Sequence, residues 1–261
     1  MKAKKSFGQN WLKDDFTLDT IVDSADISKN DTVLEVGPGL GTLTEKLLQT
    51  GARVVAVEAD KELIPHLQKK FSSENKFELI QADILKYDLR SLPHNYKVVA
   101  NIPYYLTSNL LRTFLEATNP PSTMVLLIQK EVAERILAKP GQMSLLAFSV
   151  LYYARPEFII GVKKELFDPI PKVDSAVVRI TRHAQPLFEA DQKQLFRIVK
   201  AGFSERRKKL RNSLSGGLRL DPKVAEEILR NSNIAPNVRA QELSMPEWES
   251  LYRSLIRANL L

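Results

Sequence analysis

From Thr32 onward, short apolar runs alternate with longer amphipathic stretches. The runs predict strands at Thr32–Val36, Arg53–Val57, Phe77–Ile80, Lys97–Ala100 and Thr123–Ile128. Between them, Gly41–Gln49 places Leu43, Leu47 and Leu48 at helical spacing, and Lys61–Phe71 reads the same way. This alternation predicts βαβ units and a mostly parallel sheet with helices on both faces. A longer apolar helix near Met143–Tyr153 precedes two more runs, Glu157–Val162 and Ala176–Ile180. Their link, Lys163–Ser175, is irregular and contains proline, which predicts a terminal antiparallel pair. Beyond Ala184 the pattern is helical only: Asp191–Phe203, Glu205–Ser213, Pro222–Asn231 and Pro246–Asn259, with Asp221-Pro222 and Ser244-x-Pro246-Glu247 as start signals. We expect an α/β domain over residues 1–184 and a small all-helical domain over 185–261.

Composition narrows the chemistry. The 261 residues are 44% hydrophobic and 26% charged, ordinary for a globular chain. There is no cysteine, which excludes disulfides, thiolate zinc sites and thiol catalysis. His66, His94 and His183 show no metal-ligand spacing, so no metal is expected. A formal charge of +7 favours a polyanionic partner. No apolar stretch is long enough for a membrane span, and the basic N-terminus lacks an apolar signal core; a cytoplasmic location is the expectation.

The first strand runs into Glu35-Val36-Gly37-Pro38-Gly39-Leu40-Gly41-Thr42. Glycines after a strand give a tight turn and allow a ligand close to the backbone, at the sheet edge where open α/β folds bind. By itself the segment could be only a tight strand-to-helix turn. The third glycine arrives one place too early for the dinucleotide fingerprint, and no Lys or Arg lies between Asp31 and Lys46, which counts against a phosphate-binding P-loop. Glu58, ending the second strand, can accept ribose hydroxyls of NAD or of an adenosyl group. Asp83, ending the third, is placed for an adenine amine, although a lone Asp there could simply cap a helix. The series of acids fits S-adenosyl-L-methionine, a ligand without phosphate, with Gly37 and Gly39 beside it.

The fourth strand ends at Asn101-Ile102-Pro103-Tyr104. As structure alone this is a turn with an aromatic. As chemistry it suits a poor nucleophile. The lone pair of an exocyclic adenine amine is delocalised into the ring. If the Asn101 side-chain oxygen and the Ile102 carbonyl accept its protons, the lone pair turns toward the methyl donor. Pro103 stiffens the turn, and Tyr104 offers a face for stacking, with no part for its hydroxyl. Orientation and hydrogen bonding carry the reaction without a general base. An adenine within a duplex is out of reach, so the target must be unpaired or flipped out.

Further blocks accompany these motifs: Lys5-Ser6-Phe7-Gly8-Gln9-Asn10-Trp11-Leu12, Phe167-x-Pro169-x-Pro171-Lys172-Val173-Asp174-Ser175-Ala176-Val177-Val178, Arg206-Arg207-Lys208-Lys209-Leu210-Arg211-Asn212, and Arg239-Ala240-Gln241-Glu242-Leu243. With them the chain resembles, over nearly its whole length, the ribosomal RNA adenine N6,N6-dimethyltransferases, and among these the bacterial small-subunit (16S) family. The resemblance implies a Rossmann-like methyltransferase sheet with the last strand antiparallel, and cofactor contacts at Asn10, Leu12, Gly37, Glu58, Asp83 and Asn101. It implies that Phe167 stacks on the target base opposite Tyr104; read alone, Phe167 is an aromatic in a proline-bounded loop. Its implied substrate is two adjacent adenosines in a hairpin near the 3′ end of 16S rRNA, dimethylated during small-subunit assembly. Trp11 departs from the family, where phenylalanine is usual, and so does Asn109, where proline is frequent. Lys200, Arg206, Arg207, Lys208, Lys209, Arg211 and Arg219 form a basic cluster opposed only by Glu205. Such a run could be a solvated helix face; with the resemblance it is expected to contact rRNA phosphates, with Lys2, Lys4 and Lys5 adding to it. No apolar heptad argues for a dimer, so a monomer is expected. The competing readings are a related methyltransferase acting on one large-subunit adenine, a non-catalytic RNA-binding assembly factor on the same fold, and an NAD-dependent oxidoreductase.

Overall fold

The computed structural model describes Lys4 and residues 7–205 and 207–261. It divides into two compact units, Met1–Glu134 with Arg155–Arg182, and Arg135–Ala154 with His183–Leu261. In chain order the elements begin with β1 (Trp11–Leu12), α1 (Asp15–Ser24), β2 (Thr32–Val36), α2 (Thr42–Gln49), β3 (Arg53–Glu58), α3 (Ile64–Lys70) and β4 (Phe77–Gln81). They continue with β5 (Lys97–Asn101), α4 (Thr107–Leu115), β6 (Thr123–Gln129), α5 (Lys130–Ile136), α6 (Leu145–Tyr153), β7 (Ala154–Val162), β8 (Phe167–Asp168) and β9 (Ser175–Arg182). Helices α7 (Gln192–Phe203), α8 (Leu210–Leu218), α9 (Pro222–Asn231) and α10 (Met245–Arg257) complete the chain.

Seven strands form one sheet in the order β4-β3-β2-β5-β6-β9-β7. Pairs β2·β3, β2·β5, β3·β4 and β5·β6 are parallel, whereas β9 runs antiparallel to β6. The buried run of β6, Met124–Ile128, is apolar throughout, as a strand covered on both faces must be. From β2 the chain first builds outward through β3 and β4, then returns to lay β5 on the other side. Strand order thus reverses between β2 and β5, and the crevice beyond their carboxyl ends is where ligands bind in such sheets. Asp14 caps α1 through the Thr17 amide at 2.9 Å. A separate antiparallel pair joins β1 to β8, setting Leu12 opposite Phe167 and Trp11 opposite Asp168.

The helical unit differs from expectation in two respects. Helix α6 groups with the C-terminal helices, so a single division at residue 184 omits it. Its residues are apolar on all sides, and Phe148 meets Phe196 and Trp248 edge-on at 5.8 and 5.7 Å. Helix α8 starts at Leu210 rather than Glu205, which leaves Arg207–Lys209 in the turn before it. It continues through Gly216-Gly217 because α7 comes very close there: a Cβ on Gly217 would lie 2.5 Å from the Cβ of Ala201. Arg206 lies outside the described residues, as do Lys2 and Lys5.

Candidate active site

A cleft of about 300 Å³ opens at the predicted crevice, lined among others by Asn10, Gly37, Gly39, Glu58, Asp83, Asn101, Ile102, Pro103 and Tyr104. The glycine loop wraps its near wall. Gly37, Gly39 and Gly41 all have positive φ, at 66°, 60° and 78°. A Cβ on Gly37 would meet nothing within 4 Å, so that side of the loop faces open space. A Cβ on Gly41 would instead strike the Phe71 ring at 2.6 Å. The loop therefore needs one glycine for access and another for packing.

Glu58 is 5% exposed. It accepts from the backbone amides of Gly39 at 3.3 Å and Asp60 at 2.8 Å. Burial pushes its carboxyl up, while those amide bonds pull it down. Glu35, wholly buried inside β2, accepts from the Thr44 hydroxyl at 2.7 Å. Burial, opposed by the Thr44 bond and reinforced by Glu58, raises its pKa to about 8. Asp83 lines the cleft and also accepts from the Leu85 amide at 3.0 Å, so it caps a short 3₁₀ turn as well.

At the other end, the Asn101 side-chain amide donates to the backbone carbonyl of Asn10 at 3.0 Å. A carbonyl can only accept, so the nitrogen must face Asn10 and the side-chain oxygen is left for another partner. The Ile102 amide donates to the Leu127 carbonyl at 3.2 Å, tying the turn to β6. Tyr104 lines the cleft, and its hydroxyl lies 2.8 Å from Oγ of Ser175, a fully buried side chain at the start of β9. The hydroxyl thus has a structural part that sequence reasoning did not give it. Burial first, and Asp174 beyond it, push this phenol up against the pull of the Ser175 bond. It stays protonated and is no base.

Two expected site residues lie elsewhere. Phe167 is 3% exposed and packed in the core of the sheet unit with Leu12, Leu18, Ile21 and Val177; it does not line the cleft. Pairing of β8 with β1 turns its ring inward, so it offers no stacking face opposite Tyr104 in this structure. Leu12 is buried in the same core and reaches only a small cavity beside the cleft.

Asp60, which sequence reasoning missed, anchors the N-terminal segment. It is 2% exposed, and it accepts from Lys4 Nζ at 2.7 Å and Gln9 Nε2 at 3.0 Å. Burial works to raise Asp60, yet the Lys4 bond and the Glu62 amide hold it below the usual carboxylate range. Among the basic residues of the helical unit, Lys208 pairs with Glu205 at 2.6 Å and Arg211 with Glu226 at 2.6 Å. Lys209 donates to Asn237 at 2.7 Å. Lys200 and Arg207 are exposed and form no ion pair among the described residues. Among those residues no group of three or more acidic or histidine side chains could hold a metal, and no helix is long and apolar enough to cross a membrane.

A seven-stranded sheet with its crevice at the reversal point, a glycine loop beneath it and acids along its rim define a Rossmann-like methyltransferase. The family model for ribosomal RNA adenine dimethylases matches residues 1–257. A ribosomal RNA small subunit methyltransferase A from Dehalococcoides mccartyi is 44% identical over 96% of this chain and 88% of its own. One from Alkaliphilus oremlandii is 40% identical over 98% and 93%. Among solved structures, a dimethyladenosine transferase from Plasmodium falciparum superposes with a TM-score of 0.84 at 25% identity, covering 95% of this chain and 98% of that one. The 23S rRNA methyltransferase ErmE gives 0.77 at 29% identity, covering 94% and 99%. The chain belongs to the ribosomal RNA adenine dimethylase family. It is an enzyme that methylates rRNA adenine with S-adenosylmethionine as donor.

Proposed function

We propose that this enzyme dimethylates N6 of two adjacent adenosines in a hairpin near the 3′ end of 16S rRNA, acting in the cytoplasm as a monomer on the assembling small subunit. The observation that carries the reading is the bond from Asn101 to the Asn10 carbonyl, which leaves the Asn101 oxygen as an acceptor at the cleft. The names of the 44% and 40% identical relatives favour the small subunit over the large one.

The cleft fits the methyl donor on its own geometry: open space at Gly37, the buried Glu58 and the exposed Asp83 as acceptors along one wall, and no Lys or Arg in the glycine loop's own sequence to call for phosphate. Glu58 would hold ribose hydroxyls, Asp83 the adenine amine, and Asn10, Gly37, Gly39 and Asn101 the remaining wall. When bound, the donor supplies an electrophilic methyl group on a sulfonium. In the first transfer Asn101 Oδ1 and the Ile102 carbonyl accept from the two target N6–H groups and turn the lone pair out of conjugation; in the second, the one remaining N6–H donates to one of them. Tyr104, its ring fixed through Ser175, stacks on the target base. The proton leaves N6 for solvent after transfer. Phe167 could join only by leaving its place in the core. Lys200, Arg206, Arg207, Lys208, Lys209 and Arg211 meet rRNA phosphates.

Transfer of tritiated methyl groups to undermethylated 30S subunits, with mapping of the modified nucleotides, tests this. Label on paired adenosines near the 16S 3′ end supports it. Label on naked large-subunit RNA instead would assign the chain the activity that ErmE's name describes.

A further inference from the structure

Trp11 carries a polar atom that none of the described residues satisfies. Its Nε1 is buried and has no hydrogen-bond partner among the described residues. The indole edge bearing Cδ1 and Nε1 faces Gly39, whose added Cβ would lie 3.0 Å from either atom. The same ring walls both the cleft and an adjoining cavity of about 30 Å³, lined also by Glu35, Gly37, Pro38, Thr42 and Asn101. That volume takes a group of one or two water-sized atoms, not a purine.

An indole N–H only donates, and a buried donor without an acceptor is costly. Four donors nearby are already engaged. The amides of Gly37, Gly39 and Gly41 donate to Val57, Glu58 and Pro38, and the Asn101 amide donates to Asn10. The rest of the wall is built the opposite way, with Glu58 and Asp83 as acceptors for hydroxyl and amine groups. An acceptor brought by the ligand belongs at Trp11.

We propose that Trp11 reads the amino-acid half of the methyl donor, its indole N–H donating to the donor's carboxylate beside Gly39. The inference rests on the cleft being the cofactor site. Calorimetric titration of S-adenosylhomocysteine and of 5′-methylthioadenosine, which lacks the amino-acid half, separates the two ideas. In Trp11→Phe, which keeps an apolar ring but no donor, the first ligand should bind roughly tenfold more weakly and the second unchanged. Equal weakening of both, or of neither, overturns the proposal while leaving the cleft assignment intact; a wild-type protein that binds neither ligand overturns both. The wild-type chain offers a check without substitution, since it has only two tryptophans. Saturation with S-adenosylhomocysteine should move the Trp11 indole ¹H–¹⁵N resonance downfield, and 5′-methylthioadenosine should not. An indole resonance indifferent to the first ligand overturns the proposal even if the Phe variant fails to fold.

Discussion

The side chain of Asn101 is oriented by the backbone of Asn10, a residue 91 positions away in sequence, through a 3.0 Å bond to its carbonyl. The N-terminal segment therefore positions a side chain of the cleft as well as forming part of its wall.

Asn101→Ala should abolish the acceptor and lower single-turnover methyl transfer by about 10²- to 10³-fold, the scale for losing one preorganised polar group. RNA binding, read by filter retention, should change little. Asn101→Asp keeps an acceptor but loses the donor to Asn10, and should fall nearly as far. Full turnover in either variant would remove Asn101 from the mechanism.

Tyr104 and Ser175 should behave as a unit. Tyr104→Ala should weaken capture of the base strongly. Tyr104→Phe and Ser175→Ala should each cost a few-fold in KM for RNA, about 1 kcal/mol for one neutral hydrogen bond. The double variant should cost no more than either single one. Additive losses would show that the bond does not position the ring.

Which of these features could be read from the chain turns on sequence separation. The glycine loop and Asn101-Ile102-Pro103-Tyr104 are local, and each follows a strand legible from its apolar run. The partners that make them work are not local. Gln9 reaches Asp60 across 51 residues, and Tyr104 reaches Ser175 across 71. Glu58 and Asp60 look alike on paper, yet one faces the cleft and the other is tied to Lys4. The burial of Phe167 is not local either, since its strand β8 pairs with β1, some 155 residues earlier.

The glycines should separate access from packing. Gly41→Ala forces a carbon against Phe71 at a φ of 78°, and should destabilise the fold by about 1–3 kcal/mol in urea denaturation. Gly37→Ala meets no neighbour and should cost less stability. Its methyl group projects toward the ligand, so calorimetric binding of S-adenosylhomocysteine should suffer more than folding does.

Glu35 makes stability depend on pH. Its folded pKa is raised from 4.5 to about 8, so the native state holds the proton more tightly than the unfolded chain. That contribution is complete below the unfolded value and is lost as pH rises through the window from 4.5 to about 8. Glu58 is shifted the same way. Urea midpoints across this range should fall for the wild type and fall less for Glu35→Gln, which keeps an acceptor for Thr44. Parallel profiles would contradict the assignment.

Within the basic cluster, existing ion pairs set the order of effects. Lys200→Ala and Arg207→Ala should each reduce the salt dependence of subunit binding by about one unit of log–log slope. Lys208 and Arg211 already face Glu205 and Glu226, and their substitution should change the slope less. Equal effects at all four positions would mean that the pairs break on binding.

Helix α6 has a consequence for the order in which this protein is made. It leaves the ribosome well before the aromatic residues it packs against, since Phe148 precedes Phe196 by 48 positions and Trp248 by 100. For that interval the growing chain carries an apolar helix whose later aromatic partners are not yet made, and the strand after it, β7, must wait for β9, its neighbour in the sheet. The helical unit cannot form as a late, separate addition, nor be exchanged between relatives by one crossover at its apparent start. Its first piece, Arg135–Ala154, is encoded between two stretches of the sheet unit.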